Sequence, residues 1–212
     1  MKFTEVLRII RQEPVFHSSL LLAGQTDPLN VQKQLSRWAR SGKILQLRRG
    51  LYALAPPYRK VEPHPFFVAN RLVPHSYVSL QSALAYYGMI PEFVVEITSV
   101  TTGRPEKIEN PLGRFSFRHL KGQIFTGFTY HEVVKDQYIF IATPAKALLD
   151  LMYFSRYPQV QPFVEQLRLQ NLGQINRQEL IRLGSDFNSK KMDTALQAIL
   201  SQLEAGEEDK TL

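Results

Sequence analysis

Prolines cut the chain once, and the cut limits what it can fold into. Ala55-Pro56-Pro57-Tyr58 is followed by Pro63 and Pro65. Proline has no N–H and a fixed φ, so neither a helix nor an interior strand runs through such a stretch. Every element therefore lies wholly before or wholly after it, and a domain boundary is placed at residues 56–64. Charge divides at the same place. Residues 1–60 hold eleven Lys and Arg against three Asp and Glu, whereas residues 61–212 hold fifteen against sixteen. A basic block on a near-neutral body points to a polyanionic partner for residues 1–60.

Within that block the apolar spacing predicts three helices and a hairpin. Phe3, Val6, Leu7 and Ile10 recur at helical steps within residues 1–13, and Pro14 ends the run. Residues 15–23 form a second short helical stretch, with Gly24 as its stop. Asp27 is a capping residue and Pro28 suits the first helical position, opening a helix to about Ser41 that Gly42 ends. Its inner side is Val31, Leu35 and Trp38; Lys33, Ser36, Arg37 and Arg40 fall opposite, with Asn30 at the flank. Long cationic donors, a hydroxyl and an amide, with no acid between Pro28 and Gly42, are what a helix in the major groove needs. Residues 44–47 and 51–54 alternate as two short strands around Arg48-Arg49-Gly50. Three helices and a two-stranded ribbon make the order of a winged helix-turn-helix. The expected contacts to double-stranded DNA are Asn30, Lys33, Ser36, Arg37, Arg40, Lys43, Arg48 and Arg49.

Residues 61–212 read as an α+β unit with a small, mainly antiparallel sheet and C-terminal helices. Helices are expected over 66–72 and 79–87, and strands over 94–101, 113–120, 124–130 and 138–141. A helix opened by Thr143 and Pro144 follows, then helices near 160–171, 177–183 and 190–205. Glu204, Glu207, Glu208 and Asp209 close the chain as an acidic tail.

The run Leu35-Ser36-Arg37-Trp38-Ala39-Arg40-Ser41-Gly42-Lys43-Ile44, continued by Leu47-Arg48-Arg49-Gly50-Leu51-Tyr52, resembles the winged helix of AbiEi-type antitoxin regulators. Tyr77-Val78-Ser79-Leu80-Gln81-Ser82-Ala83-Leu84, Tyr87-Gly88-Met89-Ile90-Pro91 and Thr98-Ser99-Val100-Thr101-Thr102-Gly103-Arg104 are similar to the helix–strand region of that family. So is Ala142-Thr143-Pro144-Ala145-Lys146-Ala147-Leu148-Leu149-Asp150, with Ala145 where the family favours an acidic residue. The resemblance runs in order through about residue 155. It implies a regulator that represses its own operon through the winged helix. Through its second domain it would neutralise a nucleotidyltransferase-like toxin encoded beside it. A stand-alone regulator without a toxin is the alternative.

No catalytic signature stands out, and neither a cofactor nor a metal site is expected. His17, His64, His75, His119 and His131 form no HExxH or close-spaced metal pattern, and there is no phosphate loop or GxSxG elbow. Ser79 reads as a helix N-cap and Ser99 as a strand residue. The enzyme alternative is a nuclease-like second domain in which Glu96, Glu106 and Glu109, with Lys107, hold Mg²⁺; the missing Lys two residues after Glu96 counts against it. A third possibility is an interaction module using aromatic residues among Tyr86, Tyr87, Phe93, Phe115, Phe117, Phe125, Phe128 and Tyr130, with Tyr86 and Arg104 as the partner-binding surface candidates. The absence of Cys and of any long apolar run sets the expected address as cytoplasmic.

Overall fold

The computed structural model describes residues 1–23, 27–157 and 159–208, with side chains through residue 205. Gly24, expected to stop the second helix, and Asp209 of the acidic tail lie outside the described residues. The chain begins α1 (Phe3–Ile10), β1 (Phe16–His17), α2 (Ser18–Leu22), α3 (Pro28–Arg40), β2 (Ile44–Arg48) and β3 (Leu51–Leu54). The three strands form an antiparallel sheet in the order β1-β3-β2. After the proline stretch come α4 (Pro65–Leu72), β4 (Ser76–Val78), α5 (Leu80–Tyr86), β5 (Glu96–Thr101), β6 (Glu106–Asn110), β7 (Gly113–His119), β8 (Phe128–Val134) and β9 (Gln137–Ala142). The helices α6 (Pro144–Phe154), α7 (Val160–Gln166), α8 (Arg177–Ser185) and α9 (Lys190–Glu208) complete the chain. No helix among the described residues is long and apolar enough to cross a membrane.

The α+β class expected from the sequence is present, but the second sheet is larger and more mixed than expected. Six strands run in the order β6-β7-β5-β4-β9-β8, and β5–β7 and β4–β9 are parallel pairs. Two strands carried no usable pattern. In β4 three successive residues, Ser76, Tyr77 and Val78, are all buried, so no alternation marks it. In β6 the sequence Glu-Lys-Ile-Glu-Asn has one apolar residue, and it reads as a polar turn. As an edge strand it carries those charges into solvent, which also discourages pairing with another chain. The strand expected over 124–130 starts only at Phe128. Gly127 takes φ +78°, and a Cβ there would meet Leu183 Cδ1 at 2.7 Å, so the chain turns at that residue.

Between β4 and β9 the parallel pairing is confined to Val78 and Ile141. Asn70 of α4 fills the splayed end: its amide donates to the Ser76 carbonyl at 3.1 Å, and its oxygen accepts from Phe140 N–H at 2.7 Å. The proline stretch is fixed as well. Gln137 accepts from His64 N–H and donates to the Glu62 carbonyl, both at 2.8 Å.

A charged cluster lies inside the second unit. Asp150 and Lys146, one turn apart on α6, are both fully buried, with Lys146 Nζ 2.6 Å from Asp150 Oδ1. Asp150 Oδ2 accepts from Ser79 Oγ at 2.7 Å and Tyr77 Oη at 2.9 Å, and Lys146 also donates to the Ile124 carbonyl at 3.0 Å. Burial pushes the Asp150 carboxyl above the ordinary aspartate value, and Lys146 and the two hydroxyls pull it back. Ser79 occupies the N-cap position of α5 as expected, but its side chain makes no capping bond to the helix and is used on Asp150. The same residue's carbonyl accepts from Thr98 Oγ1 at 2.7 Å. These bonds anchor the residue before Leu80, whose φ of +53° is strained for a side chain with a Cβ.

Removing one member of a buried ion pair leaves an uncompensated charge and costs about 3–5 kcal/mol. Lys146→Met and Asp150→Leu are each expected to lower the urea midpoint sharply. The double variant is expected to lose clearly less than their sum; additive losses would show that the two residues do not act as a pair. Tyr77 adds a pH dependence. Its burial, then the charge and hydrogen bond of Asp150, push the phenol far above its ordinary value near 10. Tyr87, which donates to the Ala142 carbonyl, is pushed up to about 12 by burial, Tyr86 and Glu179. Above about pH 10 the unfolded chain releases these protons and the native chain keeps them, so stability falls as pH rises, by up to roughly 1.4 kcal/mol per pH unit for each group. Below pH 10 the contribution is intact. Tyr77→Phe is expected to flatten the alkaline decline measured by denaturant titration; an unchanged slope would assign the decline to other groups.

Candidate nucleic-acid interface

Among the exposed cations of residues 1–60, Lys33, Arg37 and Arg40 are arranged by α3. Asp27 caps the helix by accepting from Asn30 N–H at 3.0 Å, and Pro28 occupies its first turn. Its C-terminus closes with paired bonds, Gly42 N–H to the Ala39 carbonyl at 3.1 Å and Lys43 N–H to the Trp38 carbonyl at 2.9 Å. That motif needs the left-handed φ of +69° that Gly42 supplies. Val31 and Leu35 are buried against α1, α2 and the first sheet, joined by Val6, Ile10, Phe16, Leu21 and Ile44. Trp38 is half-buried, its ring 5.4 Å from Phe3.

Asn30, Lys33, Ser36, Arg37 and Arg40 are all exposed, as their spacing opposite Val31 and Leu35 requires. Lys33, Arg37 and Arg40 have no ion-pair partner among the described residues. Ser36 uses its proton on the Gln32 carbonyl at 3.1 Å and keeps acceptor capacity outward. Lys43 leaves this row: its ammonium lies 5.1 Å from the centre of the Phe3 ring and is half-buried.

The hairpin departs from a free ribbon. All four residues of β3 are buried, because both faces of that strand are covered. Tyr52 and Leu54 face the core under α1 and α3, whereas Leu51 and Ala53, with Leu47 and Val15, join the apolar cluster of the second unit. The tip is held too. Arg48 Nη1 donates to the Leu72 carbonyl at 2.8 Å and to Glu106 Oε1 at 3.0 Å, and Asn110 Nδ2 reaches the Leu47 carbonyl at 3.4 Å. Arg48 thus serves the junction between the two sheets, while Arg49 is exposed beside it. A cavity of about 570 Å³ opens at this junction, lined by Arg49, Arg71 and Arg104 among others. Arg71, on α4, was not singled out in the sequence; a lone cation beyond the proline stretch carries no periodic signal.

The remaining candidates are dispersed. Glu96 pairs with Lys107 at 3.6 Å, Glu106 with Arg48, and Glu109 faces Arg114 in the β6–β7 register. Among the described residues no three His, Cys, Asp or Glu side chains are grouped to hold a metal ion. His64 accepts from Phe66 N–H at 3.2 Å at the start of α4, and His119 Nδ1 lies 2.9 Å from the Gly103 carbonyl. Ser99 is buried within β5. Of the aromatic residues, Phe115 and Phe117 are buried, whereas Tyr86, Phe93 and Tyr130 are exposed. Tyr86 hydrogen-bonds and stacks with His131, the two polar atoms 3.2 Å apart. Glu204 pairs with Arg177.

No protein-family model matches the chain, and no curated protein is similar enough to count as a relative.

Because β3 is buried on both faces, the two sheets are expected to unfold together. Calorimetry of the full chain should show one transition, and Leu51→Ala should lower stability by about 2–5 kcal/mol while keeping it single. Two separate transitions would show that the junction is not cooperative.

Proposed function

We propose that the chain is a sequence-specific DNA-binding regulator, with residues 1–60 as a winged helix-turn-helix and α3 as its recognition helix. The observation that carries this is the outward face of α3, where Lys33, Arg37 and Arg40 stand exposed without ion-pair partners. Uncompensated guanidinium groups along a rigid helix match guanine edges and phosphates in the major groove. The order α1-β1-α2-α3-β2-β3 with sheet order β1-β3-β2 supports the same reading. Helices cover one face of the sheet, and the hairpin follows α3 directly.

The resemblance to AbiEi-type antitoxins supports a second role for residues 61–212, neutralising a nucleotidyltransferase-like toxin. The motifs behind it fall largely in the interior: Tyr77, Ser79, Lys146 and Asp150 are the buried cluster. They speak for a shared framework, and any toxin contact lies on other residues, with Tyr86 and Arg104 exposed and accessible. Co-expression of the full chain with the product of the neighbouring gene tests this role: restored growth supports it, and unrelieved toxicity removes it.

Base reading and charge are separable. Losing a base-reading arginine costs about 1–3 kcal/mol and relaxes specificity at one position. Arg37→Ala and Arg40→Ala are expected to narrow the affinity gap between operator and scrambled duplex. Arg49→Ala should weaken both duplexes alike, and Arg48→Ala should act first on thermal stability, because its guanidinium is bonded within the protein. Titrations with both duplexes measure this; an unchanged ratio for both Arg37→Ala and Arg40→Ala removes α3 as the reading helix.

A further inference from the structure

The cavity at the junction between the sheets is strongly basic and nearly without acids. Arg48, Arg49, Arg71 and Arg104 line it with His17 and His75, and Glu106 is the one acidic residue among the lining. Glu106 is already committed to Arg48 at 3.0 Å. Arg49, Arg71 and Arg104 have no ion-pair partner among the described residues. Three guanidinium groups around one cavity repel each other, and the arrangement gains its counter-charge when an anion enters.

The walls are fixed in advance. The Arg71 guanidinium lies over the Phe67 ring, 4.8 Å from its centre, which holds the long side chain in place. The turn carrying Arg104 is pinned by Gly103 N–H to Thr101 Oγ1 at 3.1 Å and by His119 at the Gly103 carbonyl. Thr101 Oγ1 also reaches the His75 carbonyl at 3.4 Å, tying the two rims together. His75 is held at φ +59°, an uncommon backbone state for a side chain with a Cβ, which persists where the surroundings enforce it.

Planar guanidinium forks converging on one cavity, with Arg71 held over Phe67, match the tetrahedral oxygens of phosphate. The position of the cavity indicates where the phosphate comes from. Its Arg49 rim is the tip of the β2–β3 hairpin that follows α3 directly in the chain. We infer that this cavity is a phosphate site, and, on the DNA-binding reading above, that it takes a backbone phosphodiester of the duplex read by α3. Arg71 and Arg104 thereby make the second unit part of the DNA contact.

The test uses the full chain with Arg71→Ala, Arg104→Ala and the double variant, all at exposed positions. Each is titrated with operator and scrambled duplex over a range of salt. Each single variant should weaken both duplexes alike and reduce the log–log salt slope by about one ion, and the pair by about two, with the operator-to-scrambled ratio preserved. Wild-type affinity and slope in the double variant, while Arg37→Ala loses specificity, would overturn the inference and leave the regulator reading standing. If the wild-type chain binds no duplex, the regulator reading fails and the site is judged with inorganic phosphate. A phosphate-induced rise in melting temperature that the double variant lacks supports a site for a small phosphorylated ligand, and no rise overturns it. A poly-glutamate peptide binding more tightly than either duplex or phosphate at equal ionic strength would also overturn it, in favour of an acidic protein partner.

Discussion

The strand β3 is the constraint on which the rest depends. Its four residues, Leu51 to Leu54, are buried in succession, and alternation sends Tyr52 and Leu54 to one core and Leu51 and Ala53 to another. The strand is packed on both sides, so α3, which presents Arg37 and Arg40, is built on the same strand that meets the six-stranded unit. Arg48 closes the arrangement by spending its guanidinium on Leu72 and Glu106.

Inside the second unit, the polar cluster around Asp150 plays a comparable part. An ammonium and two hydroxyls converge on one carboxylate with almost no solvent access. Such a group contributes little net stability relative to a well-packed apolar substitute, but any rearrangement that separates its members strands a charge in the core. It fixes β4, the start of α5 and α6 relative to one another.

Much of this was legible in the sequence because the signals were local. Asp27-Pro28 and Gly42 bounded α3, and the period of Val31 and Leu35 placed its exposed cations on the observed side. Thr143-Pro144 opened α6 where expected, with Thr143 capping the Lys146 N–H. The failures were long-range. Phe16 and His17 read as helix because what makes them a strand is β3, some thirty-five residues away, in the register Phe16 to Tyr52. The buried run of β4 and the charged run of β6 have no period to detect, and without them the sheet seemed small and antiparallel. Arg48 looked like a free tip residue beside Arg49, since nothing local shows that Glu106 and the Leu72 carbonyl wait for it.

The shared strand also bears on how such a chain can diversify. A DNA-reading head hung on a loose tether can be exchanged by recombination, because nothing behind it has to match. Here a transplanted head would have to bring residues equivalent to Leu47, Leu51 and Ala53 to fit a surface it had never met. On the proposed DNA-binding reading, the two parts would be inherited as one block, and a change of target sequence would fall to point substitutions on the outward side of α3. There Lys33, Arg37 and Arg40 carry no ion pair within the protein, so each can vary without disturbing a bridge behind it.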